Sequence, residues 1–224
     1  MLTRSLGALA LALALSATAA AHFVFIVPES AGKARVVFSD SLEPDENVPI
    51  AKISATTLHL RHADRTTSRL DWTKGKFALE VEVAGTGTRI IRGMTDYGVL
   101  QKGTAKPYLL RYHSKAIVGA IPKDGGKLGD VVPVEIVPVV SGGKVVFEVL
   151  VGGKPIANAE VTVLLAADSK KLTTDAKGRT EAVEVKGQCG AWVRHTEATT
   201  GKASGKTYEE ARHYATLVCD PTAK

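Results

Sequence analysis

Six histidines, two cysteines and one carboxylate-rich loop are the groups of this chain best able to do chemistry. Imidazole is the commonest metal ligand near neutral pH, so the histidines are weighed first. His22 follows Ala19-Ala20-Ala21, a small-residue run of the kind a signal peptidase cuts. A cut after Ala21 makes His22 the first residue, with its α-amine beside its own ring. Those two nitrogens chelate one ion, and a second imidazole completes a T-shaped histidine brace, a set that favours Cu(II). A cut after Ala19, using Ala17-Thr18-Ala19, makes His22 the third residue. The amine, two backbone amides and the ring then form a square-planar cage for Cu(II) or Ni(II). The α-amine has a pKa near ~8, so it loses its proton accessibly at neutral pH.

His195 and His213 are the next pair. Arg194-His195-Thr196-Glu197 ends one expected strand and Arg212-His213-Tyr214 opens the last. A loop holding Gly201, Gly205 and Tyr208 turns the chain back between them. The two rings then lie at the same end of adjacent antiparallel strands; two unrelated surface histidines fit the same spacing. His113 alternates with Arg111 and Lys115, which places it on an expected solvated face. His59 and His62 lie three apart in an alternating Leu58-His59-Leu60-Arg61 run. In a strand that spacing points the rings to opposite faces, which argues against a joint metal site. Asp40, Glu43, Asp45 and Glu46 surround Pro44 without calcium-loop spacing and read as a solvated loop. Trp72 and Trp192 read as core. No P-loop, nucleophile elbow, zincin helix or dinucleotide fingerprint occurs in the sequence.

The elements that must position these groups are strands. Val, Ile and Thr alternate in short runs broken by Gly, Pro, Asp and Asn, the pattern of antiparallel β-structure. Strands are expected at 23–27, 34–38, 57–61, 77–83, 88–92, 108–115, 132–137, 145–151, 160–165, 179–185, 191–197 and 213–218. Helical turns are expected at 208–212 and 50–54. The fold class is all-β: two antiparallel sandwich domains of Ig-like or prealbumin-like type. A boundary falls at Val139-Val140-Ser141-Gly142-Gly143, which divides the chain into 1–21 (signal peptide), 22–138 and 139–224. In the second half, Gly152-Gly153-Lys154-Pro155 and Thr174-Asp175-Ala176-Lys177-Gly178-Arg179 are turns, with Asp175 as cap and Gly178 at positive φ. Together they resemble the prealbumin-like or carboxypeptidase-regulatory-like modules of exported proteins, over about 80 residues.

Compartment follows from the first residues. Arg4, an apolar run over 6–15 and the small residues 16–21 form a signal peptide, too short for the ~20 apolar residues of a membrane span. The mature protein is expected to be periplasmic or secreted. Arg4 is the leader's one charged side chain, so 28 basic groups face 23 acidic ones after cleavage. The bases are scattered without an aromatic-basic stripe, so nucleic acid is not an expected partner. Cys189 and Cys219, an even count without CxxC in an oxidising compartment, are expected to form a disulfide. It would close a loop of some 30 residues, worth roughly 3 kcal/mol in the chain-entropy model.

The chain also resembles a family of exported proteins grouped with periplasmic nickel-uptake components, the NikK-like proteins. The matching stretches are Ala21-His22-Phe23-Val24-Phe25-Ile26-Val27-Pro28-Glu29, Pro107-Tyr108-Leu109-Leu110-Arg111-Tyr112 with Lys115, and Gly153-Lys154-Pro155 with Thr174-Asp175 and Gly178-Arg179. The most specific are Arg194-His195-Thr196-Glu197, Gly205-Lys206-Thr207-Tyr208 and Arg212-His213-Tyr214-Ala215-Thr216-Leu217. The resemblance implies a β-sandwich with a role in metal uptake or handling. It also implies a candidate site of His22, His195 and His213. The cysteines are not part of the shared pattern.

Three functions are carried forward. The first is an exported copper- or nickel-binding protein acting in uptake or delivery, with a membrane transporter as possible receiver. The second is a copper histidine-brace enzyme attacking polysaccharide oxidatively, which calls for an aromatic face in a chain only 5% aromatic. The third is a structural or adhesive sandwich protein without metal, which requires the three rings to lie apart.

Overall fold

Alternating β-branched runs become strands throughout the computed structural model, which describes residues 22–224. The expected signal peptide, residues 1–21, lies outside the described residues. In chain order the strands of the first half are β1 (Phe23–Pro28), β2 (Lys33–Ser39), β3 (Thr57–Arg61), β4 (Thr67–Leu70), β5 (Thr73–Lys74), β6 (Leu79–Glu82), β7 (Arg89–Leu100) and β8 (Tyr108–Val118). The second half adds β9 (Val134–Ser141), β10 (Lys144–Val151), β11 (Lys154–Pro155), β12 (Glu160–Leu164), β13 (Ser169–Thr173) and β14 (Val183–Glu184). The last four are β15 (Cys189–Glu197), β16 (Gly201–Ala203), β17 (Lys206–Tyr208) and β18 (Glu210–Cys219). A 3-10 turn at Ile50–Ile53 matches the expected turn there. Residues 208–212 instead end β17 and begin β18. There the Arg212 guanidinium sits 3.6 Å from the Tyr108 ring centroid, and pairing with β8 overrides local helical preference.

One eight-stranded sheet, in the order β13-β12-β15-β18-β8-β7-β3-β4, runs through both halves. Its halves join where β18 lies parallel to β8, with Tyr214 opposite Tyr112 and Ala215 opposite His113. A second sheet, β1-β2-β6-β5, packs on one face; β9, β10, β11 and β14 form a third that packs on the other. Two sandwiches therefore share a central sheet and have separate cores. One core is built on Phe25, Ile26, Leu58 and Tyr112. The other is built on Phe147, Val149, Val193 and Leu217. The expected boundary at 138/139 falls inside β9, which pairs with β10 from Val134 to Ser141 and so belongs to the second sandwich. Val139-Val140-Ser141-Gly142-Gly143 is a strand end and hairpin turn; the passage between the halves is the segment 119–133.

The turn at residues 174–179 forms as its composition demands. Asp175 Oδ1 accepts from the Lys177 and Arg179 amides at 2.8 and 2.9 Å, and Gly178 takes φ 74°. Cys189 and Cys219 are register partners on β15 and β18, buried as free thiols with Sγ atoms 3.9 Å apart. Their mutual hydrogen bond and burial push the Cys219 thiol's pKa up. An oxidising compartment, as the sequence leads one to expect, would join them. Intact mass of secreted protein should then be two hydrogens lower than after reduction. Alkylation of both cysteines in unfolded, unreduced material would refute this. Among the described residues no helix is long and apolar enough to cross a membrane.

Candidate metal-binding site

Alternation along the central sheet decides which histidines meet. On β8, Tyr108, Leu110 and Tyr112 face the first sandwich, while Arg111, His113 and Lys115 face the second. Cross-strand partners share a face, so His213 and its β15 partner His195 lie on the His113 side. His22 lies on the Tyr112 side. It lines a cavity of about 250 Å³ together with Phe38, Tyr97, Tyr112 and Tyr214. The structure thus brings His195 and His213 together and places His22 across the sheet from both. A single site made from all three rings is not assembled. No three His, Cys, Asp or Glu side chains are grouped as a ready-made metal site among the described residues.

His22 is nevertheless closely held. The Tyr112 hydroxyl donates to the His22 carbonyl at 3.1 Å. Two residues on, the hydroxyls of Ser114 and Thr216 both donate to the Val24 carbonyl, at 2.6 and 2.7 Å. These three bonds fasten the start of β1 across β8 and β18. The imidazole packs on Phe38, centroids 5.5 Å apart, and its Nε2 donates to Asp45 Oδ2 at 2.7 Å. The Asp45 carboxylate is fixed in turn by the Asn47 amide on Oδ1 at 2.8 Å. Hydrogen bonds from His22 and Asn47 hold the Asp45 carboxyl below its usual range. The acidic loop is therefore not simply solvated, because one of its carboxylates orients the ring of His22.

A carboxylate only accepts, so the ring proton of neutral His22 resides on Nε2 and the lone pair on Nδ1. After the expected cut at Ala21, Nδ1 would be the atom that closes a chelate with the new α-amine. It serves equally when histidine is third in the chain. Copper- and nickel-type nitrogen ligation therefore fits the residues present at this position.

On the other face, His113 Nε2 and His213 Nδ1 are 3.0 Å apart, with the rings stacked at a 27° angle. His113 is 6% and His213 5% exposed, against the expectation of a solvated His113. The alternation was right but the face is covered by the third sheet, so Lys115 is buried too, paired with Glu135 at 2.6 Å. Burial lowers the pKa of both imidazoles, that of His113 to about 3. His59 and His62 do not form a joint site. His59 lies on β3 opposite Arg69 and Arg92, and His62 pairs with Ser68 Oγ at 3.0 Å beyond the strand end. Trp72 and Trp192 pack partly buried on the first core, as expected.

Sequence reasoning read Asp45 as part of a solvated loop and His113 as solvated, and gave Glu197, whose Oε2 lies 3.6 Å from His213 Nε2, no role. Glu197 stands in the same Arg194-His195-Thr196-Glu197 run as His195, and its spacing on alternate positions of β15 was the signal available.

No family model matches the chain, and no curated protein does. Among solved structures it is similar to a pullulanase from Anoxybacillus sp. LM18-11, at 13% identity and TM-score 0.22, covering 83% of this chain and 27% of that one. It is also similar to the BSP domain of a biofilm-associated protein, at 14% identity and TM-score 0.21, covering 91% and 30%. A third is the central fibronectin-III array of RIM-binding protein, at 14% identity and TM-score 0.21, covering 88% and 67%. The chain spans under a third of the length of the first two.

Proposed function

We propose that the mature chain is an exported binding protein for a transition-metal ion, copper or nickel, held at His22 and passed on in uptake or delivery. One observation supports this reading: the Asp45 carboxylate takes the Nε2 proton of His22 in a 2.7 Å hydrogen bond, which leaves the ring's lone pair on Nδ1. A hydrogen bond from a ligating imidazole to a carboxylate raises its basicity and fixes its orientation, and losing it typically costs ~10–100-fold in metal affinity. The resemblance to NikK-like proteins supports the same assignment. Binding and delivery are favoured over brace-type oxidative chemistry because His195 and His213 lie across the sheet, so neither completes a T-shaped site with His22. A chelate with open positions also releases its ion readily to a membrane transporter.

Intact mass of exported protein fixes the first residue. Titration with Cu(II) and Ni(II) at neutral pH should then give a nitrogen-ligated visible band at one equivalent. Replacing His22 with alanine abolishes the band, and Asp45→Asn weakens binding by about 10–100-fold. Affinity falls as pH drops below ~8, because amine and imidazole must be deprotonated. A band that survives His22→Ala, or no uptake at all, overturns the proposal.

A further inference from the structure

We propose a carbohydrate site, for a neutral oligosaccharide, on the part of the central sheet that the β1-β2-β6-β5 sheet leaves uncovered. It is independent of the metal reading at His22. Eight strands lie beneath a cover of four on this face. The cover ends at β1, where Phe23 stacks on Trp192 with ring centroids 4.1 Å apart. Beside that stack, along β12 and β15, runs a groove of about 700 Å³, a volume typical of small-ligand sites.

Strand register gathers the chemistry of the groove. Trp192 and Arg194 are alternate residues of β15, and Tyr214 is the cross-strand partner of Arg194. Glu160 lies two residues before Thr162, the partner of Trp192. All four therefore share one face of the sheet, and all four line the groove. The two aromatic rings are half-buried, while Arg194 and Glu160 are exposed. Trp72 donates its indole N–H to the Thr56 carbonyl at 2.8 Å. The Trp192 N–H, the Tyr214 hydroxyl and the Arg194 guanidinium have no such partner among the described residues.

A second wall, residues 156–159, is fixed by Thr174. The Thr174 hydroxyl donates to the Ile156 carbonyl at 2.8 Å and accepts from the Ala159 amide at 2.9 Å. The Asn158 amide donates to the Thr174 carbonyl at 2.9 Å. These bonds hold Asn158 at φ 59°, exposed and lining the groove. A wall set in advance lowers the ordering cost of binding.

Aromatic rings beside planar amide, guanidinium and carboxylate groups suit a sugar. Its C–H face is apolar, and its hydroxyls both donate and accept. The fixed charges of the lining are Arg194 and Glu160, one of each sign, which favours a neutral ligand over an anion or a cation. A peptide added as a strand has nowhere to pair, because β12 and β15 each have a neighbour on both sides.

The experiment is calorimetric titration of the mature chain in EDTA with cellohexaose, maltohexaose and N-acetylated chitohexaose. At least one should bind saturably. Arg194→Ala should weaken that binding by about tenfold or more, the worth of a hydrogen bond to a charged group. Asn158→Ala should weaken it too, and Trp192→Ala should abolish it. Arg194 and Asn158 are exposed, so their variants should fold even where Trp192→Ala does not, which far-UV circular dichroism checks. Binding of none of the three sugars overturns the site, as does affinity unchanged by both Arg194→Ala and Asn158→Ala. Tighter binding of an oligogalacturonate overturns the choice of a neutral ligand. None of these results bears on the Cu(II) or Ni(II) band at His22, since EDTA keeps the metal away.

Discussion

Replacing Lys115 with methionine is expected to lower unfolding free energy by about 3–5 kcal/mol at pH 7, the cost of leaving one partner of a buried ion pair uncompensated. Lys115 Nζ donates to Glu135 Oε1 at 2.6 Å, with side chains 4% and 2% exposed. Burial pulls the Lys115 pKa down, and Glu135 opposes that by charge and hydrogen bond. The carboxylate also accepts the Leu128 and Gly129 amides at 2.8 and 3.3 Å. It thereby ties the crossing segment 119–133 to β9 and to the central sheet. Loss of the ammonium leaves the carboxylate with those two amides alone. The double variant Lys115→Met/Glu135→Leu should recover part of the loss, because removing both charges also removes their desolvation cost. Denaturant midpoints at unchanged slope measure both variants. A loss under about 1 kcal/mol for Lys115→Met would show that the interior tolerates the lone carboxylate.

Acidification is expected to destabilise the fold well before most carboxylates titrate. Burial holds the folded-state pKa of His113 down at about 3, and the neighbouring His213 and Arg111 charges add to the effect. The unfolded chain takes up that proton near its ordinary value of ~6.5. Between these values the unfolded state binds more protons, so stability falls as pH falls and is fully present above ~7. For His113 alone the loss is about 2 kcal/mol at pH 5 and about 3 kcal/mol at pH 4. His213, shifted in the same direction by burial, adds to it. Denaturation between pH 7 and 5 measures the slope, and the imidazole resonances of His113 should not move over that range. A flat stability profile, or titration of His113 in the folded protein above pH 5, contradicts this account.

Much of the local structure was legible in the chain. Thr57–Arg61 is a strand with the bounds expected from its alternation, and the Asp175 turn with left-handed Gly178 follows from side-chain chemistry alone. Both depend on neighbours in sequence. Short strands such as β5 (Thr-Lys) and β16 (Gly-Lys-Ala), exposed or half-buried, carry no hydrophobic period and were missed. The second half of β7, through a register shift between Asp96 and Gly98, was missed for a related reason. A bulge interrupts the period-two pattern on which strand recognition rests.

The candidate metal ligands show the same division. The residue types, the His22 junction and the His195–His213 pairing came from sequence, because strand order near a chain reversal is a local property. Which face each ring takes was not available there. A period of two says that His113 and Tyr112 point oppositely, but not whether either side meets water.

By itself the sequence determined most of the longer strands, the Asp175 turn and the residue types able to hold a metal. Only the tertiary structure decided that one sheet crosses both halves, covered on both faces by different sheets. That coverage buries His113 and Lys115, hands His22 to Asp45 and sends His213 toward Glu197. The physical reason is that local alternation assigns side chains to faces, whereas burial and partnership depend on what long-range packing lays over each face.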